Sequence, residues 1–222
     1  PMACAPIIDT AFISYMPDSA SLAAQRNAYL LFSLPLALVA QAIGQAALPQ
    51  LAALASVGKY LRLRQTLIKV LATSLLFSLL ASLALYILGR PTIHLLFEHG
   101  AFTSHSAAIT NLALLGYAIA LPGQAAASIL ILTFYALKNA LIPLYSTFLA
   151  FLGHLGGIIF FLHLFAGPND VVAIPLGLAV DGVVTTLLLT ILLFCVVLRS
   201  RVSRDQGMLR LARWRAYREH LR

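Results

Sequence analysis

Residues 67–88 read LIKVLATSLLFSLLASLALYIL, a run whose one charge, Lys69, lies near its start. About 20 mainly apolar residues are what a helix needs to cross the ~30 Å hydrocarbon core of a bilayer. In lipid a helix satisfies its own backbone polar groups, which an isolated strand or loop cannot do. The run therefore reads as a transmembrane helix, closed by Gly89-Arg90-Pro91.

Outward from it the same pattern repeats. Upstream, the basic loop Val57–Thr66 carries Lys59, Arg62 and Arg64, and before it a helix is expected over Ala20–Ala55, crossing between Asn27 and Leu54. Pro35 and Pro49 should kink or loosen that helix. Downstream, Ile93, Leu96, Phe97 and Ala101 recur at helical spacing between His94, Glu98 and His99, which suits a short interfacial helix over Pro91–Phe102. Ser104 is the expected N-cap of a crossing over Ala107–Leu137, bent at Pro122-Gly123. A tight turn at Lys138-Asn139 leads into Ala140–Phe165, and Gly167-Pro168-Asn169-Asp170 into Val172–Leu198. The first stretch, Ala3–Met16, is short for a span, ends in the turn signal Met16-Pro17-Asp18-Ser19, and reads as a chain starting inside a helix. The fold class is an all-α polytopic membrane protein with about five full or partial transmembrane helices. Residues 1–198 are expected to form the bundle and 199–222 an Arg-rich cytoplasmic tail.

Composition agrees. Of 222 residues, 61% are hydrophobic and 10% charged, and the mean hydropathy is +0.92. A soluble domain of this size has too little interior to hide so much apolar side chain. The net charge of +8 would suggest nucleic acid in a soluble protein, yet eight of the fifteen basic residues (Arg199, Arg201, Arg204, Arg210, Arg213, Arg215, Arg218, Arg222) follow the last apolar stretch. A polybasic segment beside a span is a topology signal and a contact for anionic headgroups, so no nucleic-acid partner is expected. Placing Val57–Thr66, Lys138 and the tail in the cytoplasm leaves Pro17–Leu22, Pro91–Thr103 and Ala166–Asp170 outside, and the loops alternate as they must. Cys4 and Cys195 are too few for a disulfide framework or a metal site.

No nucleotide-binding glycine loop, paired-carboxylate motif or HExxH appears, so no catalytic residue, metal or cofactor is assigned. The glycines of the spans, Gly156 and Gly182 among them, are expected to allow close helix packing. At 100° per residue Arg26, Ser33, Ala37, Gln41 and Gly44 fall in one stripe of the second helix, with Gln45 at its margin and Phe32, Leu36, Val39 and Ile43 opposite. Glutamines near mid-membrane need partners in other helices or a hydrated cavity. Arg26, Ser33, Gln41 and Gln45 are the candidates for a cavity, with interhelical hydrogen bonding the alternative. Antiparallel neighbours could bring His154 and Asp181 to similar depth, as a structural or a proton-coupling pair.

Four strings add a resemblance. Leu34-Pro35-Leu36-Ala37-Leu38 followed by Ala46-Ala47-Leu48-Pro49-Gln50-Leu51 resembles the PLGL…LLPxLS helix of the MurJ/MviN lipid II flippases. Leu95-Leu96-Phe97-Glu98-His99-Gly100-Ala101-Phe102 resembles their LLFxRGAF, Tyr117–Pro122 their YALGLP, and Phe134–Leu137 their FYAL. The resemblance implies membership of the multidrug/oligosaccharidyl-lipid/polysaccharide exporter superfamily. It further implies one lobe of a two-lobe flippase bundle, the second, whose N-terminal partner lobe is missing from this chain. The activity implied is translocation of lipid-linked peptidoglycan precursor across the bacterial cytoplasmic (inner) membrane by alternating access, not an enzymatic reaction. The partners implied are the lipid-linked glycan and membrane lipids. Two alternatives accompany it: export of another lipid-linked polysaccharide or of drugs, and a non-transporting scaffold. Where such flippases commonly carry an arginine five residues before the proline matching Pro35, this chain has Leu30, with Arg26 one turn earlier. Their DTRTP is replaced by Asn139-Ala140-Leu141-Ile142-Pro143.

Overall fold

The computed structural model describes Asp9, Phe12 and residues 20–97, 103–165 and 170–194, and every described element is helical. The first crossing comprises α1 (Ala20–Leu36), a π-helical segment (Ala37–Ala42) and α2 (Ile43–Ser56). Then follow α3 (Tyr60–Phe97), α4 (Ser104–Ala136), α5 (Leu141–Leu164) and, after a 3₁₀ turn at Asp170–Val172, α6 (Ala173–Ile191). Five helical stretches, Leu22–Ser56, Tyr60–Phe97, Ser104–Ala136, Leu141–Leu164 and Asp170–Phe194, are long and apolar enough to span a membrane.

α4 is the axis of the bundle. In its most apolar window 67% of the residues are buried, against 11–28% in the other four spans, so only α4 is enclosed by protein and the rest turn apolar faces outward. It packs on α6, α3, α1 and α2, whereas among the described helices α5 leans almost wholly on α6. Around one half of α4 the core holds Phe32, Ile93, Leu114 and Tyr117. Around the other half it holds Leu51, Leu63, Leu67, Leu130, Phe134 and Leu189.

α4 and α6 cross in close contact. A Cβ on Gly182 would lie 2.9 Å from the Gln124 nitrogen and 3.0 Å from the Gly123 carbonyl carbon, so the two backbones touch. Thr186 Oγ1 donates to Gly123 O at 3.0 Å across the same point. Pro122 lacks an N–H and so leaves the carbonyl four residues earlier without its helical partner. That carbonyl, Ala118 O, accepts from Ser82 Oγ of α3 at 2.6 Å. A neighbouring helix supplies the bond that lets proline sit within a span. Among the described residues the expected packing role is not seen at Gly156, whose Cβ would meet nothing within 4 Å.

Two crossings end in the same turn. After α2, Gly58 takes φ 76° while its N–H and that of Lys59 reach Ala55 O and Leu54 O. After α4, Lys138 takes φ 56° with matching bonds to Tyr135 O and Phe134 O. Both are Schellman turns, in which a left-handed residue returns the chain and covers the last carbonyls. Asn139 Oδ1 then accepts from Ile142 N to start α5, as expected of the Lys138-Asn139 turn.

Three expectations change. α3 does not stop at Leu88; it continues through Gly89-Arg90-Pro91 to Phe97, so no separate helix begins at Pro91. At 38 residues α3 is about 57 Å long, well beyond the hydrocarbon core. The N-cap of α4 is Thr103, not Ser104: Thr103 is extended and its Oγ1 accepts from Ser106 N at 3.3 Å. The first crossing is altered by the π segment following Pro35. Residues 98–102, Cys4, Cys195, the turn at Pro17–Ser19 and the Arg-rich tail 199–222 lie outside the described residues.

Candidate functional site

The π segment reorders the polar stripe. A π turn closes i→i+5 bonds and so takes one more residue than an α turn. Past Leu36 the outward row therefore steps by four: Ser33, Ala37, Gln41 and Gln45 all show at the surface. Gly44, expected in that stripe, instead turns inward against Ile129 and Leu132 of α4. Gln45, expected at the margin, is on the exposed row. Arg26 is exposed as well, while Ser33 Oγ donates to Leu30 O of its own helix at 2.8 Å. Leu30, Leu34 and Leu38 flank the row at 56, 63 and 72% exposure, so this face is half polar and half lipid-like.

Of the four stripe candidates, Gln41 alone lines a cavity of about 150 Å³ whose described walls are Asp9, α1, the π segment, α4, α5 and α6. His154 and Asp181 both line it, yet they are not bonded to each other. His154 Nε2 lies 2.9 Å from Asp9 Oδ1. Asp181 Oδ2 accepts from Gln124 Nε2 at 2.8 Å, and the same amide nitrogen donates to Leu178 O at 3.1 Å. The anticipated two-residue pair is thus two separate contacts facing one cavity. His154 is 1% exposed, which places it well inside the bundle.

Beside the cavity, Gln25 Nε2 donates to Tyr117 Oη at 2.8 Å with both side chains buried. Tyr117 stacks on Phe32 at 5.0 Å between centroids and meets Tyr29 edge-on at 5.8 Å. These contacts fix α1 on α4 with an aromatic cluster and one polar bond.

Sequence reasoning missed Asp9, Gln25 and Gln124. Gln25 is seven residues before Phe32, two helical turns along the inward face, and that spacing could have found it. Gln124 follows Pro122-Gly123 in mid-span, where a lone amide needs a partner. Asp9 lay in a stretch too short to count as a span, and no local signal singled it out.

The pattern of the family described as lipid II flippase MurJ matches residues 4–212. The chain belongs to the MurJ lipid II flippase family. A Bdellovibrio bacteriovorus protein described as a probable lipid II flippase MurJ is 31% identical over 138 residues, 62% of this chain and 26% of that protein. The lipid II flippase MurJ of Thermosipho africanus is 36% identical over 73 residues, 33% of this chain and 15% of that protein. A solved structure of lipid II flippase MurJ in an inward closed conformation superposes with a TM-score of 0.73 at 26% identity, covering 86% of this chain and 39% of that one. The chain thus spans about a quarter or less of the matched MurJ sequences and under half of the solved MurJ. Within the MurJ family, the all-α membrane bundle expected from the apolar runs holds.

Proposed function

We propose that this chain is the second lobe of a flippase that moves lipid-linked peptidoglycan precursor across the bacterial cytoplasmic membrane by alternating access. The family match over residues 4–212 carries the reading. The five membrane-length helices and the half-polar face of the first crossing support it. A polar headgroup crossing a bilayer needs a hydrated path, while its lipid tail stays in hydrocarbon. The row from Arg26 through Ser33 and Gln41 to Gln45 offers one wall of such a path beside a leucine row suited to lipid. The opposite wall belongs to the partner lobe. The Arg-rich stretch 199–222 would face anionic headgroups on the cytoplasmic side.

The test is complementation by the whole protein that contains this chain. Expressed in a bacterium depleted of its own flippase, it should prevent lysis, and purified into vesicles it should move a labelled lipid-linked precursor between leaflets. Normal membrane abundance with neither rescue nor flipping would overturn the reading.

A further inference from the structure

The polar face of the first crossing divides into a charged end and an uncharged stretch. Arg26 stands near its outer end, and from Asn27 to Gly58 the sequence holds no Asp, Glu, His, Lys or Arg. Past Ser33, the polar groups on the exposed row are two side-chain amides, Gln41 and Gln45. Gln25 and Gln124 show what a structural amide does in this lobe. Gln25 donates to Tyr117 Oη, and Gln124 to Asp181 Oδ2 and Leu178 O, each on another helix. Gln41 and Gln45 have no bonded partner among the described residues. Unpaired amides at membrane depth are costly, so the two call for a polar occupant.

We propose that Gln41 and Gln45 are specificity-determining residues that read the uncharged part of the carried headgroup, its sugar hydroxyls and amides. The inference deepens the proposed function and rests on its substrate. Chemistry selects the occupant. A cationic cargo calls for a carboxylate on this wall, and residues 27–58 hold none. An anionic polymer calls for basic residues along the path, and none follows Arg26 before Lys59. A lipid chain needs neither amide, since Leu30, Leu34 and Leu38 already offer it an exposed apolar row. Each glutamine presents two N–H donors and a carbonyl acceptor, the set that pairs with hydroxyl and amide groups.

The backbone brings the two amides into line. In an unbroken α-helix each four-residue step turns the row by about 40°, which would carry Gln45 about 120° away from Ser33. The π segment absorbs one residue, so Gln45 returns to the exposed row and Gly44 turns inward against Ile129 and Leu132. Gln41 and Gln45 then stand about one turn apart. Arg26 is fifteen residues before Gln41, roughly 20 Å along the axis, so charged and uncharged parts of a headgroup meet separate stations on one wall.

Binding to the whole protein in lipid nanodiscs tests this with two probes. One is a polyprenyl pyrophosphate bearing the sugar and peptide headgroup, the other the same polyprenyl pyrophosphate without sugars. The wild type should prefer the glycan-bearing lipid. Gln41→Leu and Gln45→Leu should each weaken its binding roughly fivefold, and the double variant on the order of 30-fold, with binding of the bare lipid unchanged. Gln45→Asn, which keeps an amide, should lose less than Gln45→Leu. Equal weakening toward both lipids would make the amides contacts to the partner lobe and overturn the proposal. So would a wild type that does not distinguish the two lipids, a measurement that needs no variant to fold. A wild type that prefers the glycan-bearing lipid but does not move it between leaflets would support this assignment and overturn the transport reading.

Discussion

At the scale of single residues, the sharpest constraint is Gly182, because what a side chain there would strike is backbone and backbone cannot swing aside. Gly182→Ala should cost about 1–3 kcal/mol, the usual penalty of forcing volume into a closed contact. Gly156→Ala, with open space around it, should be neutral or slightly stabilising through helix propensity. Thermal unfolding of the two variants in the same detergent checks the contrast; equal midpoints would remove the close α4–α6 approach. Under the proposed function, substrate recognition in this lobe would rest on Arg26. If its guanidinium meets an anionic headgroup through paired hydrogen bonds, lysine cannot reproduce them. In the whole protein Arg26→Ala should then abolish complementation at unchanged membrane abundance, and Arg26→Lys should restore it only in part. Full complementation by Arg26→Ala would leave Arg26 a headgroup anchor. Sequence alone placed Arg26, Ser33 and Gln41 on one stripe with Gln45 at its margin; Arg26, Gln41 and Gln45 are exposed and Ser33 is half-buried. It misplaced Gly44, since the π turn is a backbone event that no residue between Ala37 and Ala42 announces.

At the scale of elements, the spans were legible because about 20 apolar residues between charged loops have one solution in a bilayer. Their ends were less so. Pro91 looks like a stop in water, but α3 runs through it. At Pro122 the reason proline is tolerated is visible: Ser82 reaches from α3 to the carbonyl that proline orphans. Ser82→Ala should leave Ala118 O unsatisfied and cost about 1–3 kcal/mol, whereas Ser82→Thr, which keeps the hydroxyl, should recover much of it. Chemical denaturation in detergent would measure both, and an Ala variant as stable as the wild type would show the carbonyl finds another donor. The polar contacts between elements were the part that sequence could not pair. His154 and Asp181 were both noticed, yet each bonds to a residue that depth alone could not select, Asp9 in one case and Gln124 in the other.

At the scale of the whole molecule, the charge pattern predicts sidedness. With Cys4 and Cys195 replaced by alanine, a single cysteine at Val57, which is 66% exposed in the turn after α2, should react with impermeant thiol reagents only from the cytoplasm. A single cysteine at Thr103, before α4, should react only from outside. Labelling of the Val57 position in intact cells would invert the arrangement. One asymmetry of the bundle also has a temporal side. Among the described helices α5 barely meets the axial helix and rests on α6, which the ribosome makes after it. About thirty residues separate the end of α5 from Phe194, roughly 2–6 s of synthesis at 5–20 residues per second. For that interval Gly157 and Ile158 of α5 lack the α6 residues they pack against, Gly177 and Ile174, while His154 already has its partner Asp9 on the earlier-made segment. A chain paused there still has Gly157 and Ile158 open to lipid, so the α5–α6 seam closes only once the last span is made.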